Sequence, residues 1–121
     1  MTKKQSPKQY DLEERTLNFA RSVFLFCKKL PKSAIEGEIA RQLVRAATSV
    51  GANYIEANEA LGKKDFLMRI RICRKEAKES RYWLELVDTN DALDRESERK
   101  YLGKEATELM NIFGAILRKT E

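Results

Sequence analysis

RAATSVGANYIEANEALGKKDFLMRIRICRKEAKESRYWLEL, residues 45–86, reads as two long helices joined at Leu61 to Lys64. In the first, Ala46, Val50, Tyr54, Ala57 and Leu61 recur every three or four residues, and in the second Phe66, Ile70, Cys73, Ala77 and Leu84 do the same. That interval places each set on one face of a helix. Beside these faces run polar stripes: Ser49, Asn53 and Glu56 at i, i+4, i+7, and Glu76, Ser80 and Trp83 at the same spacing. Two such stripes paired across a bundle would give it a polar interior, acceptable only if every group finds a partner.

Moving outward, Ser33 and Glu36 have capping-box spacing at the start of the first of these helices, whose face also includes Ile35, Ile39 and Leu43. Gly37 and Gly51 lower its intrinsic helicity by roughly 1 kcal/mol each relative to Ala. Ala46, Ala47, Gly51 and Ala52 are small enough to let a neighbouring helix come close. Upstream, Leu12, Thr16, Phe19, Val23, Phe26 and Leu30 form the stripe of another helix, widened by Leu17, Ala20 and Phe24. It should begin near Asp11, which stands three residues before Glu14, and stop at Leu30 because Pro31 follows. Met1 to Tyr10 reads as a flexible basic tail.

Downstream, the second helix should run from Asp65 to Val87 or Asp88. Its inner face extends to Val87 and is broadened by Leu67, Trp83 and Leu86. Asp88 to Asp94 is rich in turn formers, and a last helix from Arg95 to Lys119 carries Leu102, Ala106, Leu109, Phe113, Ile116 and Leu117, with Gly103 and Gly114 as small contacts. No segment alternates with period two over a strand's length. Four helices of about 20–26 residues joined by short connections make residues 11–121 one all-α domain, an antiparallel up-down-up-down four-helix bundle.

Composition narrows the function classes. The chain has 121 residues, 42% hydrophobic and 36% charged, with a formal net charge of +5 and a pI near 9.3. That balance favours acidic or polyanionic partners without identifying one. Cys27 and Cys73 lie far apart at apolar helical positions and read as reduced core residues. No run approaches the roughly 20 apolar residues of a membrane span, and the N-terminus lacks an apolar signal core, so a cytoplasmic protein without membrane contact is expected.

With no histidine in the chain, Ser-His-Asp and Cys-His catalysis, His-containing zinc sites and Glu-x-x-His di-iron centres are excluded. Two cysteines cannot make a Cys₄ site. Phosphate-cradling glycine motifs are also missing. What enzymatic chemistry is left would need Glu56, Glu59, Glu76 and Glu79, i, i+3 pairs that could hold Mg²⁺ as in helical nucleotide pyrophosphohydrolases. Ion pairing with neighbouring Arg and Lys is the simpler reading, so neither a metal nor a cofactor is expected.

Two features could carry binding. Arg71, Arg74, Lys75, Lys78 and Arg81 follow the helical period and form a basic flank, either solvated surface or an anion-binding site. The stripe of Ser49, Asn53, Glu56, Glu76 and Ser80 is a ligand site or, on the structural account, a device that fixes helix register. Tyr82 and Trp83 read as packing aromatics, so base readout is not expected. Leu25, Met68 and Ile72 stand off the main stripes and are candidates for a protein-binding surface.

RAATSVGANYIEA followed by F-x-x-R-I-x-I-x-x-K-E-A-K-E-S-x-Y-W-L-E-L resembles the bacterial four-helix-bundle proteins related to those encoded in intervening sequences of 23S ribosomal RNA genes. Ser49, Asn53 and Glu56 take part in the likeness, with Glu76, Ala77, Glu79, Ser80, Tyr82, Trp83 and Leu84. The chain is also similar to the accessory variability determinant of diversity-generating retroelements. The resemblance implies a bundle that associates into a homo-pentameric ring and, from the second relative, contact with nucleic acid and a reverse transcriptase. Together with the basic flank it suggests a non-catalytic oligomeric module binding RNA or DNA phosphates and scaffolding a partner protein. A protein-interaction bundle without nucleic acid, or the Mg²⁺-dependent pyrophosphohydrolase, are the alternatives.

Overall fold

A computed structural model of the protein describes residues 7–121, with side chains from Leu12 onward. It contains α1 (Pro7–Lys28), α2 (Ala34–Asn58), α3 (Lys63–Leu86) and α4 (Leu93–Thr120), and no strand among the described residues. Consecutive helices pack on one another and α1 closes against α4, the arrangement of an up-down-up-down bundle. Helix α1 starts at Pro7, ahead of Asp11; proline suits a first helical position, where its missing N–H would have had no partner. Of the expected flexible tail, residues 1–6 lie outside the described residues.

The boundaries follow local chemistry. Helix α1 gives way at Lys28, and the N–H groups of Lys29 and Leu30 turn back to Phe26 and Cys27 carbonyls at 3.0 and 3.2 Å. Ser33 caps α2, its hydroxyl accepting the Glu36 N–H at 3.2 Å. The reciprocal half of the capping box is absent, because the Glu36 carboxylate accepts the Asp88 N–H at 3.2 Å instead and ties the start of α2 to the α3–α4 turn. In that turn Asn90 and Asp91 adopt positive φ, the region that Asn and Asp tolerate better than most side chains. Helix α2 ends at Asn58, short of Leu61, and α3 starts at Lys63 behind an extended Gly62.

The core is the set of stripes read from the sequence. Phe26, Leu43, Ile70, Leu84, Leu109 and Phe113 are fully buried, each contributing roughly 1.5–3 kcal/mol of apolar burial. Tyr54 meets Phe113 with ring centroids 5.9 Å apart, joining α2 to α4 across the middle. Thr16 is buried as well and donates its hydroxyl to the Leu12 carbonyl at 2.8 Å. The expected widening was too generous, since Leu17, Phe24 and Leu86 are exposed, and the α2 stripe is shorter than expected, with Ile35 and Leu61 at its two ends also exposed. Cys27 and Cys73 are free thiols, the latter donating to the Val50 carbonyl at 3.3 Å.

Candidate functional site

The register of α2 against α3 separates the two polar stripes. Asn53 accepts from Arg69 at 2.9 Å, Val50 faces Cys73, and Arg45 reaches Glu79 at 2.9 Å. In this antiparallel register Asn53, at the middle of one stripe, lies about ten residues, or about 15 Å, from the level of Ser80, at the middle of the other, and only the ends Ser49 and Glu76 come nearly level. The stripes therefore do not pair across the interior, contrary to the sequence reading. Asn53 donates to the Ser49 carbonyl at 2.9 Å, and Ser80 donates to the Glu76 carbonyl at 2.8 Å, each within its own helix. Glu56 is exposed and has no side-chain hydrogen bond among the described residues. Glu76 is the buried carboxylate, 7% exposed, and Arg45 of α2 approaches it at 3.4 Å while also holding Glu79.

The same offset bears on a metal centre. Glu76 and Glu79 are occupied by Arg45, whereas Glu56 and Glu59 stand exposed about 18 Å further along the bundle. Among the described residues no three Asp, Glu, Cys or His side chains converge as a metal site.

The basic flank has a sharper outcome. At about 100° per residue, Arg71, Arg74, Lys75, Lys78 and Arg81 fall within an arc of about 120° on α3. They differ in setting. Arg71 is engaged by Glu121 at 2.8 Å, and Lys75 is exposed on the outer side. Arg74 lies along the α3–α4 seam, its Nε 3.7 Å from where a β-carbon on Gly114 would stand and close to Arg118, 3.5 Å from the same point. Lys78 and Arg81 line a groove between α3 and α4 with a volume of about 810 Å³.

Helix α4 supplies the other wall with Arg99, Lys100, Gly103, Lys104 and Thr107. Arg81 donates to the Thr107 hydroxyl at 3.4 Å across the groove. Arg99 is committed to the scaffold, holding Glu96 at 2.5 Å and donating to the Glu85 carbonyl at 3.3 Å. The Thr89 hydroxyl and Arg99 together hold the Glu96 carboxyl below the usual range. Glu85 is the one acidic residue on the lining. Among the described residues no carboxylate lies within ion-pair distance of Lys78, Arg81, Lys100 or Lys104. Such a groove can hold an anion by charge and by N–H donors.

Sequence reading missed the α4 half of this groove. The signal was present, since Lys100, Gly103, Lys104 and Thr107 recur at i, i+3, i+4, i+7 beside the apolar stripe. Tyr82 was also misjudged: Trp83 is half-buried against the core, but Tyr82 is 59% exposed and lines the groove. One residue, about 100° of helix rotation, separates the two environments. Leu25 and Met68 are exposed, near opposite ends of the bundle, and Ile72 is half-buried, so the three do not form one patch.

Residues 8–115 match the family model described as 23S rRNA-intervening sequence protein. The fold is similar to the crystal structure of a protein of unknown function from the S23 ribosomal protein family of Bacteroides thetaiotaomicron. The TM-score is 0.76 and the identity 31%, over 87% of this chain and 96% of that one. No curated protein matches the sequence. No helix among the described residues is long and apolar enough to cross a membrane.

Proposed function

The chain belongs to the family of 23S rRNA-intervening sequence proteins, and from that premise and the charge of its α3–α4 face we propose that it is a non-catalytic helical module binding RNA or DNA through phosphates. The observation that carries the reading is the groove in which Lys78, Arg81, Lys100 and Lys104 converge without ion-pair partners among the described residues. Unpaired cations held close together by two rigid helices are set to exchange their counterions for phosphates. Arg74 and Arg118 extend the same seam beyond the groove. Sequence readout plays no part, because lysine and arginine ends that meet a phosphate backbone carry no base information.

Self-association, proposed with it, would strengthen binding. In a homo-oligomer, the pentameric ring that the resemblance implies, the groove would repeat about the symmetry axis and the fields would add. A titration of affinity against salt tests the proposal, using fluorescently labelled RNA and DNA of mixed sequence. Log affinity should fall linearly with log salt, with a slope of about −0.7 to −0.9 per phosphate contacted. Reversing Lys78, Arg81, Lys100 and Lys104 to glutamate should lower affinity at every salt and flatten the line. No binding at about 50 mM salt, or an unchanged slope after reversal, would overturn it. Solution mass before and after nuclease treatment reports assembly and retained nucleic acid together.

A further inference from the structure

One aromatic side chain, Tyr82, stands among the cations of the α3–α4 groove. Its ring meets that of Trp83 with centroids 5.3 Å apart and planes inclined at 76°, an edge-to-face contact. Trp83 is packed against the core, so it braces Tyr82 from a fixed position. Whichever ring presents its edge, at least one face of Tyr82 is left uncovered by Trp83. At 59% exposure that face is open to the groove and solvent.

A basic groove joined to an open aromatic face has a particular ligand chemistry. Cations follow a phosphate backbone, and the ring offers a platform for any nucleobase because every base has a π-face. A duplex supplies phosphates but keeps its base faces stacked inside. A single strand supplies both. Resting on the phosphate-binding reading above, we propose that the groove takes single-stranded nucleic acid in preference to duplex, with a base stacked on Tyr82 and the flanking phosphates on Lys78, Arg81, Lys100 and Lys104. Arg99 is not counted among these contacts, since Glu96 and the Glu85 carbonyl hold it against the protein.

The test compares three labelled probes of equal length at one salt concentration: a thymidine single strand, the same strand without bases, and a duplex. The full chain should bind the single strand more tightly than the duplex. Tyr82→Ala should weaken the base-bearing strand roughly 5- to 150-fold, the range for losing one stacked base. It should leave the abasic strand and the salt slope unchanged, because the ring carries no charge. Tyr82→Phe should bind like the parent. Preference for duplex would overturn the inference, as would Tyr82→Ala binding the base-bearing strand undiminished or weakening both strands alike. If salt-dependent binding and its loss on charge reversal persist in that case, the phosphate reading stands alone. Absence of binding to all three probes at low salt would remove both.

Discussion

Thr16 and Gly51 meet where α1 crosses α2: a β-carbon on the glycine would stand 2.9 Å from the threonine hydroxyl oxygen and 3.2 Å from its β-carbon. Thr16 is buried and its hydroxyl is held by the Leu12 carbonyl, so it has little room to yield. Gly51→Ala should therefore destabilise the fold by about 1–3 kcal/mol through overpacking, although alanine is the better helix former by about 1 kcal/mol. Gly103 is the contrast, with nothing within 4 Å of its missing β-carbon. Gly103→Ala should stabilise by about 0.5–1 kcal/mol. Urea midpoints of the two variants read both effects, and equal shifts would show that the crossing is loose.

Arg45 and Glu76 set up a second comparison. Glu76 is 7% exposed, and the guanidinium of Arg45 is the cation that approaches it. Arg45→Ala should cost about 1–2 kcal/mol, less than the loss of a fully buried pair because Arg45 is itself half in water. Glu76→Gln should recover part of that loss in the Arg45→Ala background, since it removes the stranded charge. Glu56→Ala, at an exposed position, should change stability by no more than about 0.5 kcal/mol. Chemical denaturation of the three variants checks the ranking; a large effect at Glu56 would place that carboxylate in an interface.

The thiols predict an alkaline dependence. Burial pushes Cys27 up to about 11 and Cys73 up to about 12, from an ordinary value of 9.0. Above pH 9 the unfolded chain releases thiol protons that the folded chain retains. The folded state then binds more protons, so its stability falls as pH rises. The contribution of these thiols is complete below pH 9 and is lost between about pH 9 and 12. Cys27→Ala with Cys73→Ala should flatten the decline in a series of melts from pH 8 to 11. Alkylation at pH 8 should be slow in the native protein and fast in denaturant, and rapid native labelling of Cys73 would contradict its burial.

The parts of this fold that a linear reading recovers are those fixed within one helix. Apolar intervals, the Ser33 cap and the turn formers all act over a few residues, and all three appear in the structure, although the expected Asp88–Asp94 turn ends at Ala92 and Asp94 lies in the first turn of α4. Quantities that depend on two helices were harder to read. The stripes of Ser49 to Glu56 and Glu76 to Trp83 have the same spacing, but spacing carries no register, and the contacts Asn53–Arg69 and Arg45–Glu79 set their centres about 15 Å apart. Likewise the width of each buried face depends on how far the neighbour reaches, which left Leu17 and Phe24 in solvent. The groove was half visible for the same reason. Lys78 and Arg81 lie in the stretch that draws attention, whereas Lys100 and Lys104 belong to a helix that reaches them only after the chain has turned back.

The Arg15 guanidinium binds Glu105 at 2.7 Å and Glu108 at 2.7 Å, joining residues 90 and 93 positions apart. The α1–α2, α2–α3 and α3–α4 packings, by contrast, link immediate neighbours in the chain, and the Tyr54–Phe113 contact of α2 with α4 likewise waits for the last helix. On the ribosome, the first helix made therefore waits for the last before that side is covered. At roughly 5–20 residues per second the wait is on the order of 5–20 s. During it Phe19 of α1, buried in the finished bundle beside Leu102 and Glu105, lacks its α4 neighbours. The interval when a nascent chain is most open to chaperones, or to a second chain beside it on the same message, is thus built into the order of the helices.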